Sequence, residues 1–296
     1  MQLLTFQIFC DLVETGSFSQ SAVKNRITQS AVSQQIRVLE DKFNVSFFER
    51  GGKKFSVTAE GEIFARAARE VLEIYDNIGS RLNQLKDIVS GPLRVSTAYS
   101  IGLHELPIPL SKFREENPHV DVQVEFKRAQ SIYDDVLEGR ADIGLVSFPV
   151  KGKGIIADIF DEDDMVIICS PLHKLAKRKR AKIKELQGES FVSFEPDTPT
   201  RKAIDRVLKL HSVTFAQQHE FDTIETVKRA VEVAGVVSIV PRRTVDKEVE
   251  ENRLIAVKLE DTILKRPLGI LRKQGHITTP AMREFINSLI KGSPIN

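Results

Sequence analysis

The side chains best suited to recognition chemistry gather near the N-terminus. Gln29, Ser30, Ser33, Gln34 and Arg37 share one face of a helix-periodic stretch, Gln29 to Phe43. Glutamine pairs with adenine in a DNA major groove, arginine with guanine, and serine with either. The same face on an isolated helix would be an ordinary solvated surface, so the flanking elements decide between the two readings. A second constellation, Arg50, Lys53 and Lys54 around Gly51-Gly52, supplies cations suited to phosphate contacts, which give affinity and register without sequence discrimination. Catalytic patterns are absent. Six histidines are scattered without metal-ligand spacing, no G-x-S-x-G, G-x-G-x-x-G or H-E-x-x-H motif occurs, and Gly51-Gly52-Lys53-Lys54 is too short for a phosphate-binding loop. Cys10 and Cys169 lie far apart, against a disulfide framework or a thiolate metal site. The run Asp161-Glu162-Asp163-Asp164 reads as a loop. No enzyme activity and no cofactor is expected.

The elements around these residues favour DNA. Ser17-Phe18-Ser19-Gln20 has the form of a capping box, so a short helix starts there and runs to about Arg26. Thr28 caps the next helix, whose Val32, Ile36, Leu39 and Phe43 recur at spacings of four, three and four and form a stripe that must be buried. Two helices joined by a short turn make a helix-turn-helix, with the polar face of the second turned outward. Phe47 to Thr58 reads as a β-hairpin with basic residues at its tip. Thr58 then caps a long helix in which Phe64, Ala68, Val71, Tyr75, Ile78, Leu82, Leu85 and Val89 keep heptad spacing. Extending to about Ser90, it would span roughly 45 Å. Its stripe could pack on the chain's own domains, but its persistence favours self-association, which would supply two recognition helices for a two-fold DNA site.

Gly91-Pro92 marks the clearest boundary. Beyond it, short β-branched runs (93–97, 120–126, 143–148, 165–169, 191–194, 236–240, 254–259, 268–271) alternate with helical stretches, which predicts an α/β architecture with mostly parallel sheets.

Ser17-Phe18, Gln29-Ser30-Ala31-Val32-Ser33, Ile36, Leu39-Glu40, Phe48, Arg50, and Thr58 with Gly61 resemble the winged helix-turn-helix signature of LysR-type transcriptional regulators. The resemblance covers the whole chain. Ser21 departs from the usual Ala, Asn25 from a packed Leu, and Asn44 from a turn Gly; a polar amide at position 25 needs a partner. The resemblance implies an α+β and α/β multi-domain chain: a winged helix-turn-helix over 1–58, a linker and dimerisation helix over 59–90, and a two-lobed, periplasmic-binding-protein-like effector domain over 91–296. Leu137 to Leu145 fits the family's first-lobe pattern. Lobe one is placed at 91–161 with 267–296, and lobe two at 162–266.

The family's effector-contacting positions map onto Ser100, Ala129 to Ser131, Ser147, and Thr198 to Arg201, which includes Thr200. Tyr99, Ser100, Gln130, Ser131 and Ser147 follow predicted strand ends, the usual ligand side of an open sheet. Thr198-Pro199 starts a helix whose first turn carries Arg201 and Lys202, unfavourable for the macrodipole unless an anion answers them. This suggests a small anion or carboxylate as effector. Equally, Arg201 could pair with Glu195 or Asp197 and steady the loop. Asp222-Thr223-Ile224-Glu225 reads as a capping box that uses Asp222 and leaves Thr223 free to face the cleft.

Composition narrows the remaining classes. The chain has 296 residues, 43 Lys plus Arg against 41 Asp plus Glu, and 41% hydrophobic residues, so about two globular domains are expected. Through Thr58 there are seven basic and five acidic residues, while Ala59 to Ser90 has four and six. Placement of charge, not its excess, therefore carries the DNA reading. The basic run Lys174, Lys177, Arg178, Lys179, Arg180, Lys182, Lys184 reads first as a solvated face, with a secondary contact to bent DNA as the alternative. No apolar stretch reaches the roughly 18 residues of a membrane span, and the N-terminus lacks signal-peptide order, so a cytoplasmic protein is expected. A solute-binding protein would share the lobes but not the head. Expected partners are double-stranded DNA, a small effector, a second copy in a homodimer or tetramer, and RNA polymerase.

Overall fold

The computed structural model describes residues 2–49, 55–84 and 88–292. They divide into two compact units, Met1–Pro92 with Glu138–Arg140, and Leu93–Leu137 with Ala141–Asn296.

The first unit contains α1 (Leu3–Thr15), α2 (Phe18–Lys24), α3 (Gln29–Phe43) and α4 (Ala59–Gln84). Helix α1 has no capping side chain at Gln2 and stops at Gly16 in the left-handed region, so nothing in its local sequence announces its start. Ser17 caps α2 by accepting from the Gln20 N–H, and Thr28 caps α3 by accepting from that of Ala31. Asn44 ends α3 with φ 53°, a conformation Asn tolerates where Gly is usual. Val32, Ile36 and Leu39 are buried with Ile8, Phe9 and Leu12 of α1. Phe9 is central, its ring 4.6 Å from that of Phe64 and 5.1 Å from that of Phe47. Phe43, expected in the buried stripe, is 46% exposed; it lies at the end of α3 and only borders the Phe47 and Phe64 rings.

The polar departures in the head have partners. Ser21 is fully buried and donates to the Ile8 carbonyl. Asn25 Nδ2 donates to Asp11 Oδ2 at 2.8 Å and to the Ser21 carbonyl at 2.9 Å. Buried Asp11 also takes Lys24 Nζ at 2.7 Å. Polarity at position 25 therefore answers polarity at position 11, one helix away. Asn25→Leu alone should cost about 1–3 kcal/mol, because it strips a buried carboxylate of a donor. Adding Asp11→Leu should recover part of that loss. Strict additivity in a double-mutant cycle by urea denaturation would remove this pairing as the explanation.

Two of the second unit's apolar cores lie in different lobes. One centres on Ile132, Val136, Val146, Ile155 and Leu271. The other runs from Met165 through Ile204 and Val227 to Val257. Strands β1 (Gly91–Ala98), β2 (Val120–Lys127) and β3 (Ile143–Ser147) serve the first lobe with α5 (Tyr99–His104), α6 (Pro107–Glu116) and α7 (Ala129–Leu137). Strand β4 (Ile155–Cys169) then continues through both lobes. The second lobe adds β5 (Arg180–Ala181), β6 (Ser190–Phe194), α8 (Pro199–Leu210), β7 (Gln217–Phe221), α9 (Ile224–Ala234), β8 (Ser238–Pro241), α10 (Asp246–Glu250) and β9 (Ile255–Leu259). The chain returns through β10 (Lys265–Lys273) to α11 (Pro280–Gly292).

The main sheet runs β2-β1-β3-β10-β4-β9-β5, with β8 also on β4. It is mixed, contrary to the mostly parallel expectation. Pairs β1/β3, β5/β9 and β6/β7 are parallel, whereas β10 is antiparallel to β3 and β4, and β4 to β8 and β9. The cause is the return crossing: β4 leaves lobe one and β10 re-enters it alongside, in the opposite sense. The acidic run expected as a loop lies inside β4, because β10 pairs with it residue by residue, Arg266 opposite Asp163 and Lys265 opposite Asp164. Register shifts between Leu268 and Gly269, where Phe160 is the extra residue on β4, a bulge of the kind that bends a strand.

Candidate functional site

On α3 the apolar stripe fixes which face is left over. Thr28, Gln29, Ser30, Gln34 and Arg37 are exposed and Ser33 is half-buried. Gln29 Nε2 donates to Ser33 Oγ at 3.3 Å, and the Thr28 and Ser30 hydroxyls lie 3.0 Å apart, so the start of the helix carries a linked polar surface. Two exposed residues escaped sequence reasoning. Val38 is 59% exposed, an apolar group suited to a thymine methyl, and Arg26 places a cation in the turn before α3 with φ 55°. At the hairpin base Phe48 bridges Val57 in antiparallel fashion and the Glu49 N–H donates to the Ser56 carbonyl. Arg50, Lys53 and Lys54 lie outside the described residues.

The seam expected along α4 divides. Thr58 Oγ1 accepts from the Gly61 N–H as predicted, but Phe64 and Ala68 belong to the head's own core. Val71, Tyr75, Ile78 and Leu82 are exposed. Leu85 is outside the described residues, and residues 88–90 are not helical, so the helix does not extend to Ser90.

Between the lobes, Tyr99 and Ser100 open α5, Gln130 and Ser131 lie in the first turn of α7, Ser147 ends β3, and Thr198 with Thr200 and Arg201 opens α8. Tyr99, Gln130 and Ser131 are exposed, and Ser147 and Thr200 half-buried. Two hydroxyls are committed to local structure. Thr198 Oγ1 donates to the Glu195 carbonyl and accepts from the Arg201 N–H. Thr223, not Asp222, is the N-cap of α9 and accepts from the Thr226 N–H; the backbone enters α9 one residue later than the D-x-x-E pattern suggests.

Arg201 is buried. Its Nε donates to both oxygens of Asp205 at 2.7 and 2.8 Å, and its Nη1 to the Phe194 carbonyl and Glu220. Burial opposes its charge, but the bonds to Glu220 and Asp205 hold its pKa above the ordinary value. Its partners are therefore neither Glu195 nor Asp197. Those two acids meet Arg128 instead, at 3.1 and 3.9 Å. Arg128 is 65% exposed and sits between β2 and α7 in lobe one, whereas both acids precede α8 in lobe two. A cation that bridges the lobes was missed, although it directly precedes Ala129 to Ser131.

Residues 3–62 match the model described as bacterial regulatory helix-turn-helix protein, lysR family, and residues 86–293 match the LysR substrate binding domain. The chain belongs to the LysR family. It is a LysR-type DNA-binding transcriptional regulator with a substrate-binding domain. Among LysR-type relatives, the probable RuBisCO transcriptional regulator of Cyanidioschyzon merolae is 28% identical over 290 residues, covering 96% of each chain. The HTH-type transcriptional regulator YeiE of Escherichia coli K12 is 27% identical over 286 residues, again covering 96% of each. In fold the chain is similar to a full-length OxyR variant from Pseudomonas aeruginosa, with TM-score 0.79, 19% identity, and 99% and 94% of the two chains covered. Full-length CbnR in complex with its target DNA gives TM-score 0.67 and 18% identity, with 99% and 100% covered.

The LysR-type substrate-binding domain also contains a buried ionic centre where β4 and β10 run between the lobes. Arg266 is 1% exposed. Its Nη1 donates to Ser100 Oγ at 3.1 Å, its Nη2 pairs with Glu105, and Asp163 lies 3.7 Å away. Burial pushes the Glu105 carboxyl up to about 7, helped by Asp163 and opposed by Arg266. Burial likewise raises Asp163. Ser100, a predicted ligand contact, is thus also tied to the strand joining the lobes.

Proposed function

We propose that this LysR-type regulator acts in the cytoplasm as a homodimer or dimer of dimers, and that its lobes respond to a small anionic effector. The domain limits proposed are 1–58, 59–90 and 91–296. The observation that carries DNA reading is the α3 surface, on which Thr28, Gln29, Ser30, Ser33, Gln34 and Arg37 are presented by a buried stripe on the opposite side. Arg50, Lys53 and Lys54 would add phosphate contacts from the wing. The exposed Val71, Tyr75, Ile78 and Leu82 of α4 need a partner stripe, and a second copy offers the same one. RNA polymerase would be met at the promoter.

For the effector, the exposed Arg128 supplies the cation, because Arg201 is held by Asp205 and Glu220. An anion in the cleft competes with Glu195 and Asp197 for its guanidinium, and Tyr99, Ser100, Gln130, Ser131, Ser147 and Thr200 are its proposed further contacts. Such a ligand changes the lobe arrangement only by the difference in its affinity for the two states.

Gel-shift titration against DNA flanking the gene tests the first part. Gln34→Ala and Arg37→Ala should each lose discrimination of about 1–3 kcal/mol at a base they contact. Wild-type-like preference in both variants would overturn the assignment of this face. Calorimetry of the full chain with organic acids tests the second part, and acid binding undiminished by Arg128→Ala would overturn it.

A further inference from the structure

The basic run of lobe two is more sharply organised than a solvated face requires. Pro171 to Leu186 contains seven Lys or Arg and a single acid, Glu185. Two of the cations are neutralised locally, Lys174 by Glu189 and Arg178 by Glu185. Among the described residues, no carboxylate lies in ion-pair contact with Lys177, Lys179, Arg180, Lys182 or Lys184, and all five are exposed. The backbone that carries them is anchored. Leu175, Ala181, Ile183 and Leu186 are 0–2% exposed and belong to the core of lobe two. The Lys258 N–H donates to the Lys179 carbonyl, and the Ile183 N–H to Asp261. Buried and cationic positions therefore alternate from Arg180 to Lys184, across the short edge strand β5 and the start of the 3-10 turn Ile183–Leu186 that follows it.

A second feature points the same way. In the β5/β9 pair Arg180 stands directly opposite Lys258, and both side chains are exposed. Like charges directly opposite each other in a sheet are destabilising, so a sixth cation is added where intramolecular stability disfavours it. A fixed array of uncompensated cations is what a polyanion binds with little ordering cost.

We propose that this edge of lobe two, Lys177 to Lys184 with Lys258, is a second nucleic-acid surface that holds the phosphate backbone of duplex DNA independently of α3. The array offers no base-reading aromatic or amide groups, so it contributes affinity and path and not sequence choice. Duplex DNA is the polyanion favoured here because the same chain carries a LysR-type DNA-binding head, which keeps DNA at high local concentration around the attached lobes. The proposal thus rests on DNA binding by the head.

The test compares the full chain with a variant carrying Lys177→Gln, Lys179→Gln, Arg180→Gln, Lys182→Gln and Lys184→Gln. Fluorescence anisotropy is recorded with a random-sequence duplex of about 60 base pairs across a salt series. Each phosphate contact contributes roughly 0.9 to the slope of log K against log salt, so loss of five contacts should make the variant's slope shallower by about 4.5 per chain. A control in which the four lysines become arginine should keep the wild-type slope, and matching thermal melts confirm that all three proteins fold. Equal slopes in wild type and variant overturn the proposal. So does a variant that keeps its DNA slope but loses binding to poly-L-glutamate, which would assign the surface to an acidic protein. If wild type itself does not bind duplex DNA, the reading of the head fails as well, an outcome distinct from binding with an unchanged slope.

Discussion

Replacing Arg266 by Met should cost about 3–5 kcal/mol of stability in the effector-binding unit, read by chemical denaturation followed by circular dichroism. The side chain is 1% exposed, pairs with Glu105 and lies 3.7 Å from Asp163, with Arg243 as a second cation acting on both acids. Removing it leaves two carboxylates in a buried site, where an unpaired charge is far more costly than a lost surface ion pair. The loss should depend on pH. Folded Glu105 has a pKa of about 7 against an ordinary 4.5, and Asp163 is raised too. Between those values the folded state holds a proton that the unfolded chain has released. The stability contributed by protonated Glu105 is thus fully present below pH 4.5 and is lost as pH rises through 7. At about 1.36 kcal/mol per pKa unit, that amounts to roughly 3 kcal/mol.

Glu105→Gln keeps the shape and cannot ionise, so its stability should fall much less than wild type between pH 5 and 8. Arg266→Met should be more damaging at pH 8 than at pH 5, because at pH 5 the orphaned acids accept protons. Equal losses at both pH values would sink this account of the centre. Its place on the strands that join the lobes gives the measurement functional weight. Ser100, a proposed effector contact, is bonded to the same guanidinium.

Gly61→Ala should destabilise the head and weaken DNA binding while leaving the lobes folded. Gly61 lies in the first turn of α4. A Cβ there would stand 2.4 Å from the Phe47 carbonyl oxygen and 2.6 Å from Val57 Cγ1. One contact is backbone, so relief requires shifting the hairpin base away from α4 and from the Phe9 cluster. Overpacking of this kind costs about 1–3 kcal/mol. Helix propensity acts in the opposite direction, favouring Ala by at most about 1 kcal/mol, so the clash should win. Scanning calorimetry should show the head's transition lowered and that of the effector-binding unit unmoved. An unmoved head transition with wild-type DNA affinity would mean that the hairpin yields freely.

Much of the head was legible because its instructions are local. Ser17 and Thr28 cap the helices they were expected to cap, and spacing alone placed Val32, Ile36 and Leu39 inside and the Gln29 to Arg37 surface outside. Capping reaches three residues and helical periodicity three or four, so both are written in contiguous sequence. Phe43 obeys the same spacing yet is exposed, since periodicity says which side a residue faces but not where the core ends. Strand positions in the lobes were similarly visible as β-branched runs. Three were not: the two-residue β5, the polar β7 (Gln217–Phe221), and the acidic half of β4, which is a strand because β10, about a hundred residues later, pairs with it.

The sequence by itself determined the family, the order of head, long helix and lobed domain, and the composition of the α3 face. Only the tertiary structure decided the partners of the charges. Asn25 finds Asp11, Arg201 turns to Asp205 and Glu220 and leaves Glu195 to Arg128, and Arg266 meets Glu105 across 161 positions. A cation accepts any nearby carboxylate, and in a chain with 41 acids its partner is fixed by how distant elements pack.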